Sequence, residues 1–432
     1  MAFVVIMGGH FGSVSASIRY GFLAVSFSKR EISGELFGFV EGSIVFGYIA
    51  GFLCRPYWDK ITAKVTPKMV LASALGLQGI TAAISGLADL TDNNSIFIAL
   101  SIFARVFCGF TAFPHNVCCM DMLKNLFPRK FDFVMGLMQM GYYSGHGVGE
   151  FTGTALYDKF GYRVPFIYSA TGLFFITACS FIFLPSCPSI AAGDEVNNKK
   201  EEGLDGKSTP STTALVFFPV FACMLINCVY AYLQIASTPY LYEKFGIPLS
   251  IGGTVLVTVS IGIAIGSSLS GTIAQTGLVN TYTQMAVGAL VVGLGLLLMF
   301  PSPSLHFLYN NVPYIAYPAV LMSGIGDPMV AIPALRAMTD LQTMVHGECT
   351  GKNEISIFGF WMLGTACSAY SGALVGGALI QLLSYQNAAY LLVIICCISS
   401  IISLVTKMGV KWYQKRLFDE ERIPILSEHK RY

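Results

Sequence analysis

The stretch that decides the fold is residues 191–213, which read AAGDEVNNKKEEGLDGKSTPSTT. This stretch is rich in Lys, Glu, Gly and Ser, the composition of a solvated and flexible connector. Long apolar regions lie on both sides of it. Each region divides into stretches of about 20 residues, the length at which a helix crosses the hydrocarbon core of a bilayer. The stretch therefore predicts a linker between two membrane-embedded halves.

Six apolar spans precede the linker and six follow it. In order they cover residues 3–27, 36–57, 69–87, 95–122, 133–157, 164–184, 214–242, 249–276, 282–300, 312–336, 355–383 and 388–407. The predicted fold class is all-α integral membrane, with twelve transmembrane helices in two pseudo-symmetric six-helix bundles. The predicted units are an N-terminal bundle (1–186), a cytosolic linker (187–213), a C-terminal bundle (214–407) and a cytosolic tail (408–432).

The overall composition excludes several classes of protein. Of the 432 residues, 54% are hydrophobic and only 12% are charged, with a mean hydropathy of +0.64. A soluble protein carries about twice that charged fraction. A net charge of +2 gives no sign of a nucleic-acid partner. The 12 cysteines fall mostly in apolar runs, which indicates neither a disulfide framework nor a metal site.

The Lys and Arg residues predict the orientation in the membrane. With the N-terminus inside, 19 of the 26 Lys and Arg residues fall on the cytosolic side and five on the opposite side. Cytosolic loops carry such an excess, so both termini are predicted to be cytosolic. The first span is the least apolar because it contains His10 and Arg19. A cleaved signal peptide is not expected there, because no basic segment precedes the apolar stretch.

Five charged residues fall inside the predicted spans. They are Arg19, Glu41, Arg105, Glu150 and Asp327. A charge at bilayer depth is costly, so each is a functional hypothesis. A carboxylate in a partly dry cavity can take up and release a proton near neutral pH, and the same group can pair with an ammonium ion. If a proton and an amine compete for one carboxylate, the result is antiport.

Asp327 is the first candidate among these charges. It lies in mid-span between Gly326 and Pro328, which open the helix and leave polar backbone groups facing a cavity. The alternative is a structural carboxylate bonded to a neighbouring helix. Glu150 and Glu41 have the same two interpretations. Arg19 can neutralise Glu41 or Asp327, or recognise an anionic substrate through its fixed fork of donors.

Four short motifs carry a family resemblance. They are RPYWDKITAK (55–64), RVFCG (105–109), GEFTGT with the following YDKFGYRVPF (149–166), and GIGDPMVAIP (324–333). With these motifs the chain resembles the major facilitator superfamily over nearly its whole length. Within it, the chain is most similar to the vesicular amine and polyamine transporters, which are proton-coupled antiporters. It departs from the pattern where Glu150 replaces the usual proline.

The resemblance implies roles for particular residues. Those transporters carry a functional carboxylate at the position of Asp327, and their helix-four arginine, here Arg105, pairs with an intramembrane carboxylate. Proton coupling is therefore expected from Asp327, Glu150, Glu41 and Arg105. Tyr143, Tyr230 and Trp361 fall on helices that line the cavity in this fold, and join Asp327 and Arg19 as expected substrate-binding residues. Aromatic faces attract amines by about 0.5–2 kcal/mol each, although such residues also simply pack.

Two further segments have expected roles outside the substrate pathway. In the resembling proteins, the counterparts of Asp59 and Lys60 form a latch at the cytosolic helix ends. The corresponding acid of the second half is replaced by Gln275. In the tail, ERIPIL (421–426) is similar to an acidic dileucine signal, with Glu421, Ile425 and Leu426 as its key residues and clathrin adaptors as its expected partners. A solvated tail also holds such a string by chance.

These observations predict a secondary active transporter that exchanges protons for an organic cation, an amine or polyamine, by alternating access. Its expected partners are a small-molecule substrate, protons and the lipid bilayer, and it needs no cofactor besides a proton gradient. The expected location is a vesicular or endolysosomal membrane, with the plasma membrane as the alternative. No catalytic constellation indicates an enzyme. Two rival functions stay open: a proton-coupled organic anion transporter that uses Arg19 and Arg105, and a sensor with a transporter fold.

Overall fold

A computed structural model describes residues 2–19, 22–32, 34–186, 210–247, 249–302, 304, 306–346 and 351–428. Within these ranges the chain is almost entirely α-helical and forms no strand. The helices are α1 (Ala2–Ser17), α2 (Leu23–Lys29), α3 (Gly34–Gly42), α4 (Ile44–Leu53), α5 (Arg55–Lys64), α6 (Pro67–Leu87), α7 (Asn94–Leu126), α8 (Phe131–Phe160), α9 (Arg163–Phe183), α10 (Pro210–Phe245), α11 (Leu249–Thr276), α12 (Thr281–Met299), α13 (His306–Asn310), α14 (Val312–Gly326), α15 (Pro328–His346), α16 (Gly351–Leu382) and α17 (Tyr385–Glu428).

Nine helical stretches in the described ranges are long and apolar enough to cross a membrane. They correspond to the predicted third, fourth and sixth to twelfth spans. The fifth span forms the continuous 30-residue helix α8, which is less apolar because it holds Glu150 and several glycines. The first two spans form pairs of shorter helices. The prediction of an all-helical membrane protein is therefore confirmed.

The first predicted span is interrupted, which corrects the expectation of one helix over 3–27. Helix α1 ends at Ser17 and α2 begins at Leu23. The backbone N–H groups of Phe22 and Leu23 both bond to the carbonyl of Arg19. The sequence at the break includes Gly21, a residue that weakens helices. The Arg19 side chain is buried at this interruption.

The second predicted span also differs from the expectation of one helix over 36–57. It breaks at Ser43, whose hydroxyl donates to the carbonyl of Val40 at 2.6 Å, a local bond that competes with the helical pattern. The end of this span and the residues that follow it, which were expected to form a loop, make the separate helix α5 (Arg55–Lys64). Proline is tolerated in the first turn of a helix, and Pro56 is found there in α5.

The two groups of helices pack in the same pattern, offset by six spans. In the first group, α1 packs on α8 and α9, α6 packs on α7 and α9, and α4 packs on α7. In the second, α10 packs on α16 and α17, α12 packs on α14 and α17, and α11 packs on α14. Each pair in one list has its counterpart in the other. The helical packing thus has the predicted pseudo-symmetry.

Small residues allow these helices to approach closely, as the glycine-rich spans predicted. A Cβ atom at Gly47 would collide with the backbone of Val106, and one at Gly109 with the backbone of Ile44. In the second group, a Cβ at Gly262 would lie 2.5 Å from the carbonyl oxygen of Leu321. The closest crossings in both groups therefore require glycine.

Helices α8 and α11 form the main contact between the two groups. A Cβ at Gly136 would lie 2.5 Å from the carbonyl oxygen of Ser267, and one at Gly147 would lie 2.9 Å from Cβ of Ser260. A second, smaller contact joins α16 to α4 and α7. The ring of Phe131, at the start of α8, also stacks on Phe358 of α16, with 5.8 Å between the ring centroids. The site described next lies beside this boundary.

The predicted unit boundaries stay predictions. Residues 187–209 of the expected linker lie outside the described residues. Helix α17 continues past residue 407 to Glu428, so the expected boundary between bundle and tail falls inside a helix.

Candidate functional site

The tenth predicted span is broken at Asp327, as the neighbouring Gly326 and Pro328 predicted. Helix α14 ends at Gly326 and α15 begins at Pro328. The Asp327 N–H donates to the carbonyl of Ser323 at 3.2 Å, and the Asp327 carbonyl accepts from Val330 and Ala331. Because proline has no N–H, the helical bond that residue 328 would make is missing. The helical hydrogen-bond pattern is therefore interrupted at Asp327, although this residue keeps helical backbone angles of φ −58° and ψ −53°; a proline at such a point bends a helix.

Two neighbouring helices hold the bend tightly. A Cβ at Gly324 would collide with the carbonyl oxygen of Val259 in α11. A Cβ at Gly326 would lie 2.7 Å from the carbonyl oxygen of Gly288 in α12. The backbone on both sides of Asp327 is thus fixed by direct backbone contacts, and the carboxylate has a defined position.

Asp327 is buried, with 1% of its surface exposed. Neither carboxylate oxygen has a hydrogen-bond partner among the residues that the structure describes. The carboxylate lines a cavity of about 10 Å³ with Val229, Tyr230, Leu233, Val292, Leu296 and Ser323. A cavity of that volume has room for about one water molecule. All of these residues belong to the second group of helices, so Asp327 lies inside that group rather than on its outer face.

Tyr230 connects Asp327 with the boundary between the groups. It lines the Asp327 cavity, and its hydroxyl accepts a hydrogen bond from Nε2 of Gln234 at 2.9 Å. Its ring packs edge-on against Tyr143 of α8, with 6.1 Å between centroids. The structure therefore brings together Asp327, Tyr230 and Tyr143, three of the predicted substrate-binding residues. Trp361, a fourth, is buried in α16.

Arg105 and Glu41 form an ion pair in the first group of helices. Nη2 of Arg105 contacts Oε2 of Glu41, and Nη1 of Arg105 donates to the carbonyl of Ala16 at 3.2 Å. Arg105 is completely buried. The pair joins α3 to α7, and the second bond reaches α1. A buried charge is tolerated when it is paired in this way.

Arg19 and Glu150 lie elsewhere in the first group. The Arg19 guanidinium carbon is 5.3 Å from the centroid of the Phe166 ring in α9. Arg19 is therefore packed against its own group, whereas Glu41 pairs with Arg105. Glu150 is half-buried on α8, and Gly149 and Gly153 beside it pack closely on α1.

The latch predicted at Asp59 and Lys60 stays a prediction. Lys60 is exposed on α5, whereas the side chain of Asp59 lies outside the described residues. Gln275 at the end of α11 donates from Nε2 to the carbonyl of Arg129 at 2.7 Å, so this position connects the two groups without a charge. The side chains of Glu421, Ile425 and Leu426 also lie outside the described residues.

Two polar side chains are buried inside the first group of helices, and sequence reasoning missed one of them, Gln78. Gln78 of α6 and His115 of α7 are buried, and Nε2 of each has no hydrogen-bond partner in the described part of the chain. The sequence analysis did not include Gln78. The available signal was a glutamine inside the apolar run LGLQGI (75–80).

Repeated helical packing, a broken membrane helix and a buried carboxylate together define a multi-pass membrane transporter. The sequence model of the protein family described as the Major Facilitator Superfamily matches residues 1–351 of this chain. The chain belongs to this superfamily, which confirms the family resemblance in its motifs. It is a transporter and not an enzyme.

Individual proteins agree with this assignment. The chain is 23% identical to the MFS-type transporter SLC18B1 of Mus musculus over 381 residues, covering 86% of this chain and 78% of the relative. It is 24% identical to the SLC18B1 of Rattus norvegicus over 386 residues, with the same coverage of both chains. The crystal structure of the human organic anion transporter MFSD10 (TETRAN) has a TM-score of 0.64 and 15% identity, covering 93% of this chain and 98% of that one. At this identity the likeness shows the fold alone.

Proposed function

We propose that this transporter exchanges protons for an organic cation, an amine or polyamine. The observation that carries the proposal is Asp327, a buried carboxylate whose oxygens have no partner among the described residues. An isolated charge in an apolar cavity is costly. Binding a proton removes that cost, and binding an ammonium ion offsets it. One carboxylate that accepts either ion in turn couples their movements in opposite directions.

The surroundings of Asp327 favour a cationic substrate over an anionic one. Val229, Leu233, Val292 and Leu296 make the cavity wall apolar, and Tyr230 adds an aromatic face. Aromatic faces attract cations and repel anions. The rival proposal of anion transport relies on Arg19 and Arg105. Arg105, however, is neutralised by Glu41.

Access to Asp327 requires a side-chain rearrangement. The cavity of about 10 Å³ has no room for an amine, and the Tyr230 and Tyr143 rings are in contact at the boundary between the two groups. We expect Tyr230 to turn when the groups separate on one side of the membrane. This is the alternating-access motion that we propose for the transporter.

The proposed location is a vesicular or endolysosomal membrane, where an acidic lumen supplies the proton gradient. The motif resemblance and the dileucine-like string in the tail support this location, with clathrin adaptors as proposed partners of the tail.

Flux in proteoliposomes with an acidic interior tests the proposed function. The substrates to compare are spermine, serotonin and a dicarboxylate. We expect amine uptake that a protonophore abolishes and that Asp327→Asn eliminates. Asp92→Asn, an exposed carboxylate in the connection between α6 and α7, is the matched control and keeps the uptake. Movement of the dicarboxylate alone, or uptake that is independent of the gradient, would contradict the proposal.

A further inference from the structure

A crevice of about 250 Å³ opens at one end of the molecule, far larger than the cavity beside Asp327. Its lining residues are Lys124, Pro128, Arg129, Phe131, Met135, Gln275, Ile332, Leu335, Arg336, Thr339 and Asp340. The predicted orientation places this end at the cytosolic surface. Nothing in the proposed transport cycle uses this crevice.

Both groups of helices contribute to the crevice. Lys124 and Arg129 lie at the connection between α7 and α8, whereas Gln275 ends α11 and Arg336 lies on α15. Two bonds shape the walls: Gln275 donates to the carbonyl of Arg129 across the boundary at 2.7 Å, and Arg336 donates to the carbonyl of Ala274. The crevice therefore exists in its present form only while the two groups are close together.

The charge of the crevice is positive. Lys124, Arg129 and Arg336 supply three cations, against one lining carboxylate, Asp340. Asp340 is 59% exposed, and its Oδ2 lies 3.8 Å from Nε of Arg336. Nη1 of Arg336 donates to the carbonyl of Ala274, which holds the guanidinium at the wall of the crevice. Gln275 and Thr339 add uncharged hydrogen-bonding groups to the wall.

We propose that this crevice binds a phosphate group and thereby holds the two groups of helices together at this end. A phosphomonoester or inorganic phosphate carries nearly two negative charges and several strong acceptor oxygens. Arginine forks and lysine ammonium groups are the side chains that bind such groups. The volume is several times the roughly 30 Å³ that one water occupies in the liquid, so a phosphate group fits with part of its hydration shell. The source is either a free phosphate or the headgroup of a phosphorylated lipid in the adjoining leaflet.

Binding has a conformational consequence. Because Lys124 and Arg129 belong to one group and Arg336 to the other, a phosphate contacts all three only in the arrangement described here. A ligand that binds one conformation more tightly increases its population. Phosphate therefore stabilises the conformation that is closed at this end.

The test uses the full-length protein in nanodiscs of phosphatidylcholine, titrated with inorganic phosphate, with sodium chloride at equal ionic strength as the reference. The readout is the thermal unfolding midpoint as a function of phosphate concentration. We expect the midpoint to rise in phosphate. Arg129→Gln is expected to weaken the apparent affinity about tenfold, and adding Lys124→Gln to weaken it further.

Lys130→Gln is the matched control. Lys130 is exposed beside Arg129 but does not line the crevice, so its removal changes net charge equally and is expected to keep the phosphate effect. The side-chain change at Arg129 leaves its backbone carbonyl, and hence the bond to Gln275, in place. Circular dichroism without phosphate checks that each variant is folded.

A second arm separates the two sources of phosphate. Nanodiscs that contain a phosphatidylinositol monophosphate are compared with pure phosphatidylcholine, with no phosphate in solution. A raised midpoint that Arg129→Gln abolishes assigns the crevice to the lipid headgroup, whereas a rise with inorganic phosphate alone assigns it to the free anion. Either result supports the site. The proposal is overturned if neither source raises the midpoint, or if Lys130→Gln lowers the effect as much as Arg129→Gln does.

Discussion

Arg105 in the first group of helices and Asp327 in the second are both buried charges, but their surroundings are opposite. Arg105 pairs with Glu41 and bonds to the carbonyl of Ala16. Asp327 lies in an apolar cavity, and its oxygens have no partner in the described part of the chain. In a buried ion pair, each charge is compensated by the other. A single buried charge in an apolar cavity is compensated only when an ion enters from outside. In the proposed function, this difference separates a charge that stabilises the fold from one that takes part in transport.

The largest expected effect comes from removing the single charge. Asp327→Asn keeps the size of the side chain and removes its charge, so gradient-driven amine exchange should be abolished. Because no ion pair is broken, the thermal unfolding midpoint should stay the same or rise. Proteoliposome flux and a thermal melt on the same preparation measure both. A variant that still exchanges amines at the original rate, or one that melts much earlier, would assign Asp327 a structural role.

Breaking the paired charge should act on stability first. Arg105→Met leaves Glu41 without its partner, and the loss of one member of a buried pair costs about 3–5 kcal/mol. The double variant Arg105→Met with Glu41→Leu should recover most of that loss, because replacing a buried pair by apolar residues is often neutral. Denaturant titration in detergent measures the free energy of unfolding. If the double variant is no more stable than Arg105→Met alone, the pair does not explain the destabilisation.

Replacing a closely packed glycine near each charge should have a smaller effect on stability and exchange. Gly109→Ala in the first group and Gly324→Ala in the second both place a Cβ against the backbone of a neighbouring helix. Overpacking of this kind costs about 1–3 kcal/mol. We expect both to lower stability, and Gly324→Ala alone to lower the rate of exchange because it displaces the backbone beside Asp327. Gly9→Ala and Gly377→Ala, where a Cβ would have no neighbour within 4 Å, are the controls in the same melting and flux assays. Equal rate losses from Gly109→Ala and Gly324→Ala would remove the distinction between the two regions.

The smallest effect is expected at Tyr230. Tyr230→Phe keeps the aromatic face towards Asp327 but removes the hydroxyl that accepts the bond from Gln234, a change worth about 0.5–1.5 kcal/mol. Amine exchange should therefore continue at a moderately altered rate, whereas Tyr230→Ala should reduce apparent amine affinity. Tyr314→Phe, on a side chain that is 80% exposed, provides the reference. Equal affinities for the Phe and Ala variants would show that the ring does not contact the amine.

The sequence predicted the helical architecture because the pattern of apolar spans is simple and extends along the whole chain. Runs of apolar residues, a polar linker and glycines at helix crossings each result from the lipid environment. Breaks within the spans were harder to predict. The break at Asp327 was found from Gly326 and Pro328, but the break at Ser43 depends on a single hydroxyl that bonds to Val40. Serine makes such bonds in only some helices.

The candidate site was only partly readable. A charge inside an apolar run marks Asp327, Glu41 and Arg105 individually, but the sequence does not say which charges meet. The pairing of Glu41 with Arg105 and the packing of Arg19 on Phe166 follow from how the helices are rotated about their axes. Gln78 was harder still, because uncharged polar residues occur in many membrane helices.

The bend at Asp327 has a mechanical consequence. Helix α15 extends for 19 residues beyond it, a length of about 28 Å at the usual helical rise. Where α15 moves as one unit across its internal Pro333, a change of about 10° at the bend moves its far end by about 5 Å. Arg336, Thr339 and Asp340, which line the basic crevice, lie about 13–20 Å along the helix from Asp327 at the usual rise, so the same change moves them by about 2–3 Å. If Asp327 binds a proton as proposed, a small change in angle there would thus displace the walls of the crevice by about 2–3 Å.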